Sequence, residues 1–186
     1  MMKDAGPFQS LPDLLLPSLP HAFGFPPIAG GEPDILILGS LPGIASIRQQ
    51  QYYAHPQNSF WRMMQALFGI EALAPYFDRC EQVKAAGLAI WDVCHSAHRP
   101  GSLDSAITPH TVVANDINGL LAAYPSIQVI GLNGSAAAKL FKKHIRLERA
   151  VHTLALPSTS PAHAAMPYAK KLERWSALLN SMNDAA

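Results

Sequence analysis

Ile35-Leu36-Ile37-Leu38-Gly39-Ser40-Leu41-Pro42-Gly43 is an unbroken apolar run that ends in a glycine and proline turn. Consecutive apolar residues of this kind fit a strand buried on both faces, as in a parallel sheet. Leu88-Ala89-Ile90-Trp91, Ile127-Gln128-Val129-Ile130 and Val151 to Leu156 read as further strands. The stretches between them have helical character. Phe60 to Phe68 sets Trp61, Met64 and Phe68 on one face. Asp78 to Ala86 stops at Gly87. Asn115 stands where it would cap a helix to about Ala123, and Asn133 where it would cap Ser135–Lys143. Tyr168–Met182 reads as one amphipathic helix. Strands alternating with helices predict an α/β layered fold with a mostly parallel sheet.

The chain of 186 residues has room for one domain with a real core, and 49 % of it is hydrophobic. Residues 1–33 are rich in Pro and Gly and read as an N-terminal arm or linker; residues 34–186 form the single domain. Charged residues make up 15 % and the net charge is +1, which argues against a large non-specific basic footprint but leaves room for a local patch. Two cysteines, Cys80 and Cys94, are too few for a disulfide framework or a four-cysteine iron–sulfur cluster. Free thiols suit a reducing cytoplasm. The apolar stretch after Lys3 is broken by Pro12, Pro17 and Pro20, unlike a signal peptide, and no run approaches a membrane span. A soluble cytoplasmic protein is expected. Cys94-His95-Ser96-Ala97-His98 has no second ligand pair nearby, so no metal is expected.

In a parallel α/β sheet, ligands bind beyond the carboxyl ends of the strands. The irregular loops begin there, at Gly39, Asp92, Leu132 and Pro157, and should converge on one crevice. The first loop continues as Gln51-Tyr52-Tyr53-Ala54-His55-Pro56-Gln57-Asn58-Ser59-Phe60-Trp61. A Gly-x-x-Pro-Gly turn alone is an ordinary connection. Aromatics in a loop, however, suit stacking on a flat ligand such as a base. The last loop, Leu156-Pro157-Ser158-Thr159-Ser160-Pro161-Ala162-His163-Ala164, offers hydroxyls to a phosphate or a base.

These motifs carry a resemblance. Tyr53 to Trp61 is similar to the first-loop signature of mismatch-specific uracil/thymine-DNA glycosylases. The set GSLPG, QYYAHPQNSFW, GSLDSAI (Gly101 to Ile107), LNGSAAAKLF (Leu132 to Phe141) and LPSTSPAHA more closely resembles the hypoxanthine (deoxyinosine)-DNA glycosylase family of the uracil-DNA glycosylase superfamily. The resemblance runs from about Phe25 to the C-terminal helix. It implies a three-layer α/β/α fold with a central four-stranded, mostly parallel sheet. It implies a monofunctional DNA glycosylase of base excision repair, without metal or cofactor, acting on damaged double-stranded DNA. A monomer is the default for such an enzyme.

Leu41 stands where many members of the superfamily carry a catalytic Asn or Asp, and a leucine cannot polarise water. The resemblance moves that work to Asn58, whose neutral amide can orient a water or hold a base but cannot deprotonate. The competing reading of Asn58 is a cap for the helix at Phe60. Ser158 replaces a histidine of several relatives; with loop N–H groups it would stabilise charge on the leaving base. Tyr53 would stack on the base, worth roughly 1–3 kcal/mol. Ser40, Leu41, Pro42, Gly43 and His55 would line the base site, with His98 also in the cleft. Asn133, Ser160, Pro161, Ala162 and His163 would meet DNA, and Ala162–Met166 would be the wedge. Asn133-Gly134 at a helix start suits a phosphate, and equally a plain cap. Asp92 and Asp104 are second-rank catalytic candidates. Ser59 stands where relatives often carry a basic residue, and the loss of that charge would weaken a contact to DNA. The expected substrate is hypoxanthine. Alternatives are uracil opposite guanine and a non-catalytic nucleic-acid-binding α/β protein.

Overall fold

A computed structural model describes residues 21–183; residues 1–20 of the expected arm lie outside the described residues. In chain order the elements are β1 (His21–Phe23), β2 (Ile35–Gly39), α1 (Ile44–Gln49), α2 (Phe60–Phe68), α3 (Tyr76–Ala85), β3 (Leu88–Asp92) and β4 (Cys94–His98). Then come β5 (Val113–Ala114), α4 (Ile117–Ala123), β6 (Val129–Asn133), α5 (Ser135–His144), β7 (His152–Leu156), α6 (Tyr168–Trp175) and α7 (Ala177–Asn183).

The frame is a four-stranded, all-parallel sheet in the order β3-β2-β6-β7. Every residue of β2 is buried, because both faces of this inner strand are covered. Side chains alternate between those faces. Ile35 and Ile37 enter a cluster with Phe60, Met63, Met64, Val83, Trp175 and Leu178, contributed by α2, α3, α6 and α7. Leu36 and Leu38 enter another with Ile117, Leu121, Phe141 and Ile145 from the α4 and α5 side. The three layers follow directly from that alternation.

Some elements differ from the sequence reading. The second loop holds β4, which pairs antiparallel with β1 and β5 in a separate three-stranded sheet. Its Cys-His-Ser-Ala-His sequence has no β-branched residue to announce a strand. The arm residues from His21 onward are packed on the domain: Ile28 bridges to Ile90, and Trp91 Nε1 donates to the Phe25 carbonyl at 2.8 Å. Asp116, rather than Asn115, caps α4 by accepting from the Gly119 N–H at 2.9 Å. Asn115 instead donates to the Asp92 carbonyl at 2.8 Å, tying the end of β3. The expected C-terminal helix breaks into α6 and α7 at Ser176, whose hydroxyl donates back to the Glu173 carbonyl at 2.6 Å. Such back-bonding bends helices. No helix among the described residues is long and apolar enough to cross a membrane.

Candidate active site

The parallel strands end on one side of the sheet, and the loops leaving them enclose a cleft of about 260 Å³. Ser40, Leu41, Pro42, Gly43, Tyr53, His55 and Asn58 line it from the first loop, and Asp92 and Asp104 from the second. Asn133, Ser158, Ser160, Pro161 and Ala162 close the other wall. His163 falls outside, in a wider adjoining groove of about 540 Å³ that also carries Lys139, Lys143 and His144. His98 is not part of the cleft; its Nδ1 lies 3.0 Å from Thr108 Oγ1, within the small sheet region.

The first loop is fixed by a buried arginine. Arg99, 3 % exposed, donates to the carbonyls of Leu41 at 3.0 Å, Gly101 at 3.2 Å and Pro42. It also lies 3.6 Å from Asp104 Oδ1, which accepts the Ser40 hydroxyl at 2.7 Å. Leu41 is thereby drawn into an apolar cluster with Ala22, Cys94, Ala97 and Ile107, and serves as packing as well as lining. A guanidinium suits this place, since its planar fork can satisfy several carbonyls at once.

Tyr53 follows with φ of 54°, a left-handed backbone that bulky residues rarely adopt. Its ring stacks on Phe60, with centroids 3.7 Å apart and planes at 18°. One ring face is therefore taken, and a base can use only the other. Phe60 is itself fully buried and held edge-on by Trp61 and Trp175. Tyr52 is the packing partner, 3 % exposed, with its hydroxyl donating to the carbonyls of Phe25 and Pro26.

Asn58 precedes the N-cap of α2, which is Ser59 rather than Asn58 itself, and lines the cleft. Its Oδ1 accepts from the Phe60 N–H at 3.0 Å, at the start of α2. Only oxygen can face that N–H, so the orientation of the amide is fixed and Nδ2 is left to donate. The half-buried side chain lines the cleft. Ser59, next in line, gives both its N–H and its hydroxyl to the Thr159 carbonyl, at 3.1 and 3.2 Å, so it ties the first loop to the last.

The last loop is held by small polar groups. Asn133 does not cap α5; Gly134, at φ of 96°, takes the cap position. Asn133 instead donates to Thr159 Oγ1 and accepts from the Thr159 N–H, both at 3.0 Å. The Ser160 N–H donates to Ser158 Oγ at 3.2 Å, and the Ala162 N–H to Ser160 Oγ at 3.3 Å. The His163 N–H bonds the Ser160 carbonyl, and Pro161 has no N–H. The N–H groups of Ser160, Ala162 and His163 are thus engaged within the loop, and the Ser158 hydroxyl is a donor that remains on offer. Ala162 to Ala165 stand exposed at the tip.

Two carboxyls complete the cleft. Burial, with Asp104 nearby, pushes Asp92 up to about 7, although Arg99 pulls the other way. Desolvation also raises Asp104, opposed by the Ser40 hydroxyl and Arg99. Arg99 and Thr159 are the site residues that the sequence did not announce. An Arg-Pro-Gly loop reads as solvated, and the partners of Thr159 lie far away in sequence.

The model of the uracil DNA glycosylase superfamily matches residues 26–181. The hypoxanthine DNA glycosylase of Methanosarcina acetivorans is 37 % identical over 142 residues, covering 75 % of this chain and 87 % of that protein. That of Methanosarcina barkeri is 36 % identical over 117 residues, covering 62 % and 73 %. A solution NMR structure of a candidate uracil DNA glycosylase from M. acetivorans superposes with a TM-score of 0.73 at 32 % identity, covering 88 % of this chain and 99 % of that one. The chain belongs to the uracil DNA glycosylase superfamily. Within it, this is a DNA glycosylase, a hydrolase of the bond between base and sugar.

Proposed function

We propose that the protein excises hypoxanthine from damaged double-stranded DNA, working as a monomer in the cytoplasm. The observation that carries this reading is the meeting of Asn58, Tyr53 and Ser158 in one cleft, in a chain similar to two hypoxanthine DNA glycosylases. The domain spanning residues 34–186 does the chemistry, with the described part of the arm, from His21, packed against it.

The target nucleotide leaves the stack, which costs a few kcal/mol and less where it is already mispaired. The free face of Tyr53 receives the base, while Phe60 braces the ring from behind. As the glycosidic bond stretches, positive charge grows on the sugar and negative charge on the base. The Asn58 Nδ2 donor orients the attacking water or an edge of the substrate. The Ser158 hydroxyl donates to the departing base. The segment Ala162–Met166, exposed from Ala162 to Ala165, fills the space left in the duplex. His163, with Lys139 and Lys143 in the adjoining groove, meets the phosphates on either side of the gap.

The test is strand cleavage by alkali after incubation with duplexes carrying one hypoxanthine, uracil, xanthine or mismatched thymine. Cleavage at hypoxanthine above the others is expected. Cleavage chiefly at uracil opposite guanine would give the protein the other substrate, and a retained but uncleaved duplex would make it a binder.

A further inference from the structure

Asp92 ends β3 and lies beside Gly39, the last residue of β2. A side chain at Gly39 would displace the Asp92 carboxyl. A Cβ would collide with Asp92 Oδ1 and sit 3.1 Å from the Tyr53 hydroxyl. The glycine therefore lets the carboxyl lie across the end of its neighbouring strand, on the floor of the cleft and next to the ring proposed to receive the base. Two polar atoms there are buried without a hydrogen-bond partner among the described residues: Asp92 Oδ2 and the Tyr53 hydroxyl. Buried polar atoms are nearly always paired, so two orphans on one cleft floor indicate groups that a ligand completes.

We propose that Asp92 is the general acid of the reaction, giving its proton to N7 of the leaving purine. This rests on the hypoxanthine reading. The C1′–N9 bond breaks and its electron pair stays with the base. The Asp92 proton moves to N7, so the purine departs neutral. Water oriented by Asn58 bonds to C1′, and the proton it loses returns to the Asp92 carboxylate. Base, sugar and enzyme all end with the correct number of protons. Uracil has no nitrogen equivalent to N7, so the same proton donor favours a purine.

The surroundings favour the protonated carboxyl. The Asp104 carboxyl opposes its ionisation and Arg99 favours it; Tyr52, Tyr53 and Cys94 also face it, as neutral groups whose own ionisation it opposes. Burial is the leading cause, and the carboxyl is pushed up to about 7, where an acid is both present and able to give its proton. Activity carried by the protonated form is full at lower pH and falls as pH rises through that value.

The experiment is single-turnover excision from pH 5 to 9 by wild type and Asp92→Asn, on deoxyinosine and on 7-deaza-deoxyinosine, which lacks N7. With deoxyinosine, the wild-type rate should fall about tenfold per pH unit above the knee, and Asp92→Asn should be about 100-fold slower with a flat profile. With the 7-deaza base, wild type should lose its pH dependence and drop to the rate of the variant. A variant that keeps the wild-type rate and knee overturns the proposal while leaving the hypoxanthine reading intact. So does a wild-type enzyme that handles the 7-deaza base as well as deoxyinosine, a result that stands even if Asp92→Asn does not fold. Wild type inactive on deoxyinosine but active on uracil overturns the hypoxanthine reading itself, and this proposal with it.

Discussion

A buried guanidinium and an aromatic stack pin the first loop, whereas hydroxyls and one amide hold the last. Arg99 satisfies carbonyls of Leu41, Pro42 and Gly101, and Tyr53 lies flat on a fully buried Phe60. Across the cleft, Ser158 and Ser160 accept from N–H groups two residues on, and only Thr159 is buried, 1 % exposed, on Asn133. The first arrangement is expensive to disturb, because the freed Leu41 and Pro42 carbonyls would be buried without a partner. The second can be exchanged group by group, since a phosphate oxygen can accept the same N–H donors. The difference assigns fixed geometry to the first loop and adjustment to DNA to the last.

The largest test of that contrast is Arg99→Met. Methionine fills part of the space but leaves the Leu41 and Pro42 carbonyls unpaired and Asp104 without its cation. Stability should fall by about 3–5 kcal/mol in urea unfolding. A loss below about 1 kcal/mol would mean that the first loop is not pinned by this residue, and the two loops would then differ only in sequence.

Asn58→Ala separates the structural part of Asn58 from its chemical part. Losing the bond to the Phe60 N–H should cost about 1 kcal/mol of stability, the usual net value of one hydrogen bond. Excision should fall about 100-fold or more, as when a donor that acts in the transition state is removed. Excision near the wild-type rate on every damaged base would take the chemistry away from Asn58 and leave it a helix-start residue.

The parts of this site that could be read from sequence share a physical origin. Strands buried on both faces leave unbroken apolar runs, so Ile35–Leu38 and Leu88–Trp91 declare themselves and fix where the loops emerge. Given those strand ends, the convergence of Tyr53, Asn58, Asp92 and Ser158 follows from topology. Strand β4 was hidden because its neighbours bury it, while its own residues are mostly polar or small. Asn133 looked like a cap because Asn before Gly-Ser imitates one; its actual partner, Thr159, is 26 residues away. Arg99 has partners 57 and 58 residues away, and nothing local separates it from a solvated arginine. The upward shift of Asp92 is likewise a product of burial, which a strand-end aspartate does not reveal.

Thr159→Val makes the smallest change and addresses the last loop alone. The side chains are of nearly equal size, but valine removes the acceptor for Asn133 Nδ2. The backbone bond from the Thr159 N–H to Asn133 Oδ1 survives, as do the two bonds from Ser59 to the Thr159 carbonyl. One orphaned, half-buried donor should cost about 1–2 kcal/mol. The cost should be local. In hydrogen exchange, the amides of Ser158, Thr159 and Ser160 should exchange faster, while those of Cys94 and Val93, bonded to the first-loop strand end at Ser40 and Gly39, keep their protection. Faster exchange at both places would show that the Ser59 tie makes the two loops one unit, and the division between a fixed wall and an adjusting one would fall.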